Sequence, residues 1–300
     1  MDMTQNKCCR HGANLRRRRR RRRKILRSII FSCSIIAVIV FVAVGSRMIT
    51  SGDGGTNKYD VEAGNNTYDN AVIENSKISE KNKIQNNQSM LDDIMNSTQY
   101  PKQLQDLALK NEEALEFVYD YPAEHVKEHT IDLTEEASMD SVPLFVQWDK
   151  RWGYEKYSGN FFAASGCGPT TLSMVVVYLT HNREASPIAV AKYSKEAGYS
   201  VDGSGSSWTL ISEGCMHYGV KAKAVALDES RMKAELDEGH PIVVNVGPGD
   251  FTDTGHFMVI TGYDDEGFSI NDPNSIEKSG KRWLFKNISS QIRAVWSMYV

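Results

Sequence analysis

Ser165-Gly166-Cys167-Gly168-Pro169-Thr170-Thr171, followed at once by Leu172-Ser173-Met174-Val175-Val176-Val177-Tyr178-Leu179, reads as a cysteine at the mouth of a buried helix. Pro169 suits the first helical position, where its missing N–H costs nothing and its fixed φ is already helical. Gly166 and Gly168 strip side chains from both sides of the sulfur, so the backbone turns tightly and a second molecule can approach. A helix N-terminus carries about half a positive charge, which favours thiolate over thiol. The same stretch also fits a buried core thiol, one of the commonest fates of a free cysteine. On its own the heptapeptide leaves both readings open.

The chain has 300 residues, with 35 Lys+Arg against 38 Asp+Glu. That near-neutral balance hides an asymmetry. The unbroken run Arg16 to Arg23, with Arg10, Lys24 and Arg27 around it, gathers much of the positive charge before residue 28. The remainder is acidic on balance, which argues against a nucleic-acid partner for the globular part. The cysteines stand at 8, 9, 33, 167 and 215. Only Cys167 and Cys215 fall in the region that reads as folded, so no disulfide framework is implied. Clustered Cys/His pairs are missing too, and neither a metal nor another cofactor is expected.

Residues 1–27 form a basic segment, and Ser28 to Gly45 (SIIFSCSIIAVIVFVAVG) is free of charge and rich in Ile, Val and Phe. At about 1.5 Å per residue this run, with Ile25 and Leu26 added, approaches the roughly 30 Å hydrocarbon core. Arginines on its N-terminal side put the N-terminus in the cytoplasm and the rest outside the cell. A single-pass signal anchor in the cell membrane is the favoured reading. A cleaved secretory signal is the competitor, because Val42-Ala43-Val44-Gly45-Ser46 offers small residues after the apolar run. Residues 46–98 are polar with no sustained period and read as a disordered stalk. Residues 99–141 read as a helical hairpin between Pro101 and Tyr119, interrupted near Asn111, then a charged connector over 123–141.

The compact domain is expected over 142–300. Ser186-Pro187 reads as cap and start of a helix stopped by Gly198. Ser207 to Tyr218 reads as a further helix with Trp208, Ile211, Cys215 and Met216 on one face, and Asp228 caps a third over 228–238. Val220–Ala226 alternates like a half-buried strand, and Pro241–Val246, His256–Tyr263, Gly267–Asn271 and Arg282–Phe285 follow as strands. Helices first and strands later predict an α+β fold, a helical lobe packed on a mainly antiparallel sheet. Trp148, Trp152 and Trp208 either line a specificity pocket or pack the core, and core packing is the favoured reading.

A cysteine nucleophile needs a base, and the base an orienting group. His181, His217 and His240 sit in turns or at helix ends, where each has an adequate structural reason. His256 opens an apolar strand and is the better candidate, although histidines are commonly half-buried without any such role. Asp272 follows the next strand and comes within reach of His256 if the two strands are neighbours, about 4.8 Å apart. Asn271-Asp272-Pro273-Asn274 is also ordinary turn chemistry. Asp264 and Asp265 lie at the opposite end of that hairpin.

Four stretches taken together, in order and spacing, carry a resemblance: Gln147 to Trp152, Ser165 to Thr170, Gly255 to Asp264, and Asn271 to Ser275. The region from about Val142 to Val300 resembles the C39-like branch of papain-like cysteine peptidases, which implies a papain-like fold. The resemblance implies Cys167 as nucleophile, His256 as general base, Asp272 as the group orienting the imidazole, and Gln147 as an oxyanion-hole donor. Gln147 departs from the family pattern by lying far upstream of the cysteine. The expected activity is hydrolysis of peptide bonds through a thioester, with a peptide or protein as substrate. Because no ATP-binding region accompanies these residues, leader-peptide processing during export is not expected. A non-catalytic peptide-binding module on the same fold and a hydrolase of cell-wall peptides are the alternatives.

Overall fold

The computed structural model describes residues 66–300, with side chains from residue 79 onward. The basic segment 1–27 and the apolar run 28–45 lie outside the described residues. The chain divides into two units, Met1–Asp69 and Asn70–Val300, and every contact below belongs to the second. Its longer helices are α1 (Asn66–Asn96), α2 (Lys102–Lys110), α3 (Cys167–Thr180), α4 (Pro187–Glu196) and α5 (Glu229–Asp237). The main sheet is built from β1 (Lys221–Ala224), β2 (Ile242–Val246), β3 (His256–Asp264), β4 (Gly267–Asn271), β5 (Arg282–Trp283) and β6 (Ile292–Tyr299). Among the described residues no helix is long and apolar enough to cross a membrane.

The six strands form one antiparallel sheet in the order β1-β6-β2-β3-β4-β5. Val, Ile and Phe fill β2 and the first half of β3, and all of these residues are buried because both faces of the sheet are covered. On one face, α3 packs with α4 and the 3₁₀ turn Gly214–Tyr218; Leu172, Val176, Phe257, Val259, Trp296 and Met298 share that core. On the other face, Met232 of α5 meets Ile242, Val244, Met258, Phe268 and Ile270. The architecture is the expected α+β arrangement, with the helical lobe on a fully antiparallel sheet. Ser186 caps α4 through the Ala189 N–H, and Asp228 caps α5 through the Arg231 N–H, as the sequence predicts.

Several local expectations need correction. The helix after Gly166 begins at Cys167, so Pro169 is its third residue rather than its first. That position is equally free, since the first four N–H groups of a helix have no intrahelical acceptor. The helix expected over 207–218 is two pieces, Thr209–Ser212 and the 3₁₀ turn, broken at Glu213. The break keeps Ile211 and Cys215 inside but turns Trp208 and Met216 outward, 47% and 62% exposed. The region read as a disordered stalk contains α1, whose last turns are not free: Ile94 is fully buried, with Met90 and Leu91 packed beside it. These residues find apolar partners far along the chain, in Leu104, Phe117, Phe161 and Ala163. The connector 123–141 also folds, with a helical turn at Thr134–Ser138 that buries Leu133 and Ala137 in the main core.

Candidate active site

Cys167 is the first residue of α3, half-buried, with its backbone N–H among those the helix leaves unpaired. Residues 168–177 of this helix are buried without a break, so it is held on every side. The Thr171 hydroxyl donates to the Phe257 carbonyl at 3.1 Å, tying the first turn of α3 to the residue after His256. Gly168 is required by close packing: a Cβ there would sit 2.5 Å from Ser206 Oγ. Gly166 is equally confined, against the Phe162 ring.

His256 opens β3 opposite Val246 of β2, and β3 pairs in turn with β4. Asp272, one residue beyond β4, is fully buried, and His256 is only 6% exposed. Their side chains meet, His256 Nε2 to Asp272 Oδ1 at 2.7 Å. The same oxygen accepts the Asn274 N–H at 2.8 Å, so the turn that carries the carboxylate also aims it. With Nε2 committed to Asp272, the other ring nitrogen is the one left to interact with the sulfur of Cys167. Burial pushes the Cys167 thiol up, but the hydrogen bond and charge of His256, helped by the backbone at Phe257 and Gly168, outweigh it and hold the thiol below its ordinary value. Burial likewise pushes His256 down, and the charge and hydrogen bond of Asp272, with a further contribution from Cys167, reverse this and raise it to about 10. Both shifts favour the charged form of the group concerned, thiolate for Cys167 and imidazolium for His256.

Gln147 reaches this site despite its distance along the chain. Its backbone N–H donates to the Pro273 carbonyl at 2.7 Å, and its buried amide Nε2 donates to the Ala163 carbonyl at 2.7 Å. That contact fixes the amide with nitrogen toward the Cys167 loop and leaves one N–H uncommitted. Gln147, Cys167 and His256 line one cleft of about 510 Å³, with Lys110, Asp250 and Asn274 among its other walls. A second trough of about 710 Å³ runs from Cys167 past Gly205, Trp208 and Arg293. The sequence thus places Cys167, His256, Asp272 and Gln147 in one site, and the structure brings all four together.

Other sequence candidates lie elsewhere. His181 binds the Ala137 carbonyl, His217 stacks on Tyr193 with ring centroids 4.0 Å apart, and His240 binds Glu235. Asp264 pairs with Arg282 at the far end of the hairpin. Cys215 is buried and free, and burial raises its thiol to about 11. Of the three tryptophans expected in the core, Trp152 is there, Trp148 is half-buried beside Asn274, and Trp208 faces the trough. Asn245, whose buried amide donates to the His256 carbonyl, had no sequence signal, and Asn274, read only as part of the turn, holds Asp272 through its backbone N–H. Asn271 turns away, as strand alternation predicts, and donates to the Val142 and Pro143 carbonyls.

Two solved structures are similar to this chain over about half of its length. The peptidase domain of Streptococcus ComA, a bi-functional ABC transporter involved in a quorum-sensing pathway, is 19% identical with a TM-score of 0.39, over 53% of this chain and 96% of that domain. A C39-like peptidase from Bacillus anthracis is 18% identical with a TM-score of 0.33, over 53% of this chain and 95% of its own. No curated protein matches the chain. Residues 139–300, just over half of its length, match the model of the Peptidase_C39 like family. With its antiparallel sheet, its cysteine-headed helix and this match, the chain belongs to the C39-like peptidase family.

Proposed function

We propose that the chain is a thiol peptidase acting through Cys167, His256 and Asp272, on the outer side of a membrane crossed by residues 28–45. The observation that carries the chemical reading is the buried His256–Asp272 contact at 2.7 Å beside a half-buried Cys167 whose thiol is held below its ordinary value. The topological reading rests on the arginine run immediately before an apolar segment.

The thiolate of Cys167 attacks the carbonyl carbon of the scissile peptide bond, and the oxyanion that forms is met by the Cys167 backbone N–H and the free N–H of Gln147. The His256 imidazolium passes its proton to the leaving nitrogen, so the C–N bond breaks and an amine departs, leaving a thioester. Now neutral, His256 takes a proton from water as it attacks the thioester. Collapse releases the carboxylic acid and restores the ion pair. Asp272 keeps the ring in the tautomer and orientation this exchange requires.

Incubating the full chain with a broad peptide library, and reading cleavage by mass spectrometry, tests the proposal. Cys167→Ala should lower cleavage by about 10⁴-fold or more, since removing a nucleophile costs nearly the whole of covalent catalysis. Undiminished cleavage in the variant would overturn the reading, and no cleavage by the unaltered chain would favour a peptide-binding module.

A further inference from the structure

The family match begins at residue 139, yet the wall of the cleft does not. Gln103, Asp106, Leu107 and Lys110 of α2 line the same cleft as Cys167 and His256. The chain immediately after α2 goes further and grips the turn that carries Asp272. Asn111 Nδ2 donates to the Asn274 carbonyl at 2.9 Å and to its Oδ1 at 3.1 Å. Glu113 spreads both carboxylate oxygens over the same turn. Oε1 accepts from the Ser275 hydroxyl, while Oε2 accepts the backbone N–H groups of Ile276 at 2.7 Å and Glu277 at 3.1 Å. These two N–H groups open the helical turn Ile276–Ser279, which has no acceptors of its own for them.

The connection from Glu113 to the reacting groups is short. Glu113 and Asn111 hold residues 274–277; the Asn274 N–H holds Asp272 Oδ1; and Asp272 Oδ1 holds His256 Nε2. A parallel route supports the other side of the site. Phe117 and Val118 pack with Phe161 and Ala163, and the Ala163 carbonyl is the acceptor that fixes Gln147. Interactions with a carboxylate are about twice as strong as those between neutral groups, so Glu113 ties residues 275–277 more strongly than a neutral acceptor would.

Resting on the triad reading above, we propose that α2, Asn111 and Glu113 are a built-in part of the site, with Glu113 as a positioning residue for Asp272 and α2 as a wall of the substrate cleft. Without this clamp, Asp272 loses its fixed aim at His256, and the thiolate–imidazolium pair is no longer held.

The test uses the full chain and two readouts, alkylation of Cys167 by iodoacetamide below neutral pH and peptide cleavage resolved into kcat and KM. In Glu113→Ala, alkylation and kcat should each fall about 10- to 100-fold, as expected for loss of a geometric constraint on reacting groups, while KM stays close to that of the unaltered chain. Glu113→Gln keeps an acceptor for Ser275 and one backbone N–H and should recover part of the loss. Glu112→Ala is the control: Glu112 lies on the same turn but binds Asn87, and both readouts should be unchanged. If circular dichroism finds Glu113→Ala unfolded, Glu113→Gln and Asn111→Ala decide, with reduced alkylation expected in each. A slow-reacting Cys167 in the unaltered chain would overturn the triad itself. Fast reaction in the unaltered chain and in every folded clamp variant would overturn only the clamp.

Discussion

Asp272 gives one carboxylate oxygen to two donors, His256 Nε2 and the Asn274 N–H. Asp272→Asn therefore alters the charge beside the ring and the tautomer the ring is held in, and should lower kcat by about 10²- to 10⁴-fold with little change in fold. The pH dependence follows from the same pair. Cys167 is held below its ordinary value and His256 is raised to about 10, so the ion pair exists between these two titrations. Falling pH protonates the thiolate through the lowered value, and rising pH discharges the imidazolium through the raised one. Alkylation of Cys167 should consequently stay fast at pH values below the ordinary thiol value in the unaltered chain. In Asp272→Asn it should recover only as the thiol nears its ordinary value, and mass spectrometry after timed alkylation reads both. Cys215, raised to about 11 by burial, should stay unlabelled in the same sample. An unchanged profile in Asp272→Asn would mean that the carboxylate does not govern the pair. Cys167, His256 and Asp272 stand out in the sequence by their places, a helix mouth, a strand start and a turn, whereas Gln147 came into view only through the family resemblance. Asn245 does not stand out, because asparagine in a strand carries no signal until its partner is known, and the hold of Asn274 on Asp272 runs through a backbone N–H that any residue would offer.

At the level of single elements, the packing beside Cys167 is close. A Cβ on Gly168 would meet Ser206 Oγ at 2.5 Å and Ser206 Cβ at 2.7 Å, and Ser206 Oγ is bonded to Tyr157. Gly168→Ala should cost about 1–3 kcal/mol of stability through overpacking. Thermal unfolding measures this, and a change within error would show that the loop at 203–206 yields freely. The helices with local stop and start signals were legible: Ser186 and Asp228 cap their helices as read, since a cap depends only on its own next three residues. The segment 207–218 was misread because Ile211 and Cys215 keep helical spacing across a break at Glu213, while the residues on either side rotate out. Strand β6 carried no clean alternation. Its register shifts between Ile292 and Ala294, and Trp296, Ser297 and Met298 are all buried, so the inside–outside period that marks a strand is erased.

Across the whole molecule, the sequence conveyed the layer arrangement but not the reach of its N-terminal half. Glu113 and Ile276 are separated by 163 positions, and no local pattern could announce that contact. The polar composition of 46–98 likewise obscured Met90, Leu91 and Ile94, whose apolar partners lie in later elements. β6 matters most at this scale, lying between β1 and β2 and pairing with both. Removing residues 292–300 would sever β1 from the sheet and strip Trp296 and Met298 from the core beside Phe257 and Val259. The truncated chain should show no cooperative unfolding transition by circular dichroism and no fast alkylation of Cys167; a folded, reactive product would contradict this. Considered in time rather than in space, the same topology sets an order of events. A chain made from its N-terminus gains its thiol at Cys167 and its imidazole at His256 well before the strand that locks the sheet around them. Cys167 and His256 are therefore held in place only after β6 has been made. A nascent chain carries its own delay, one that leaves the sulfur without its fixed surroundings until synthesis has passed β6.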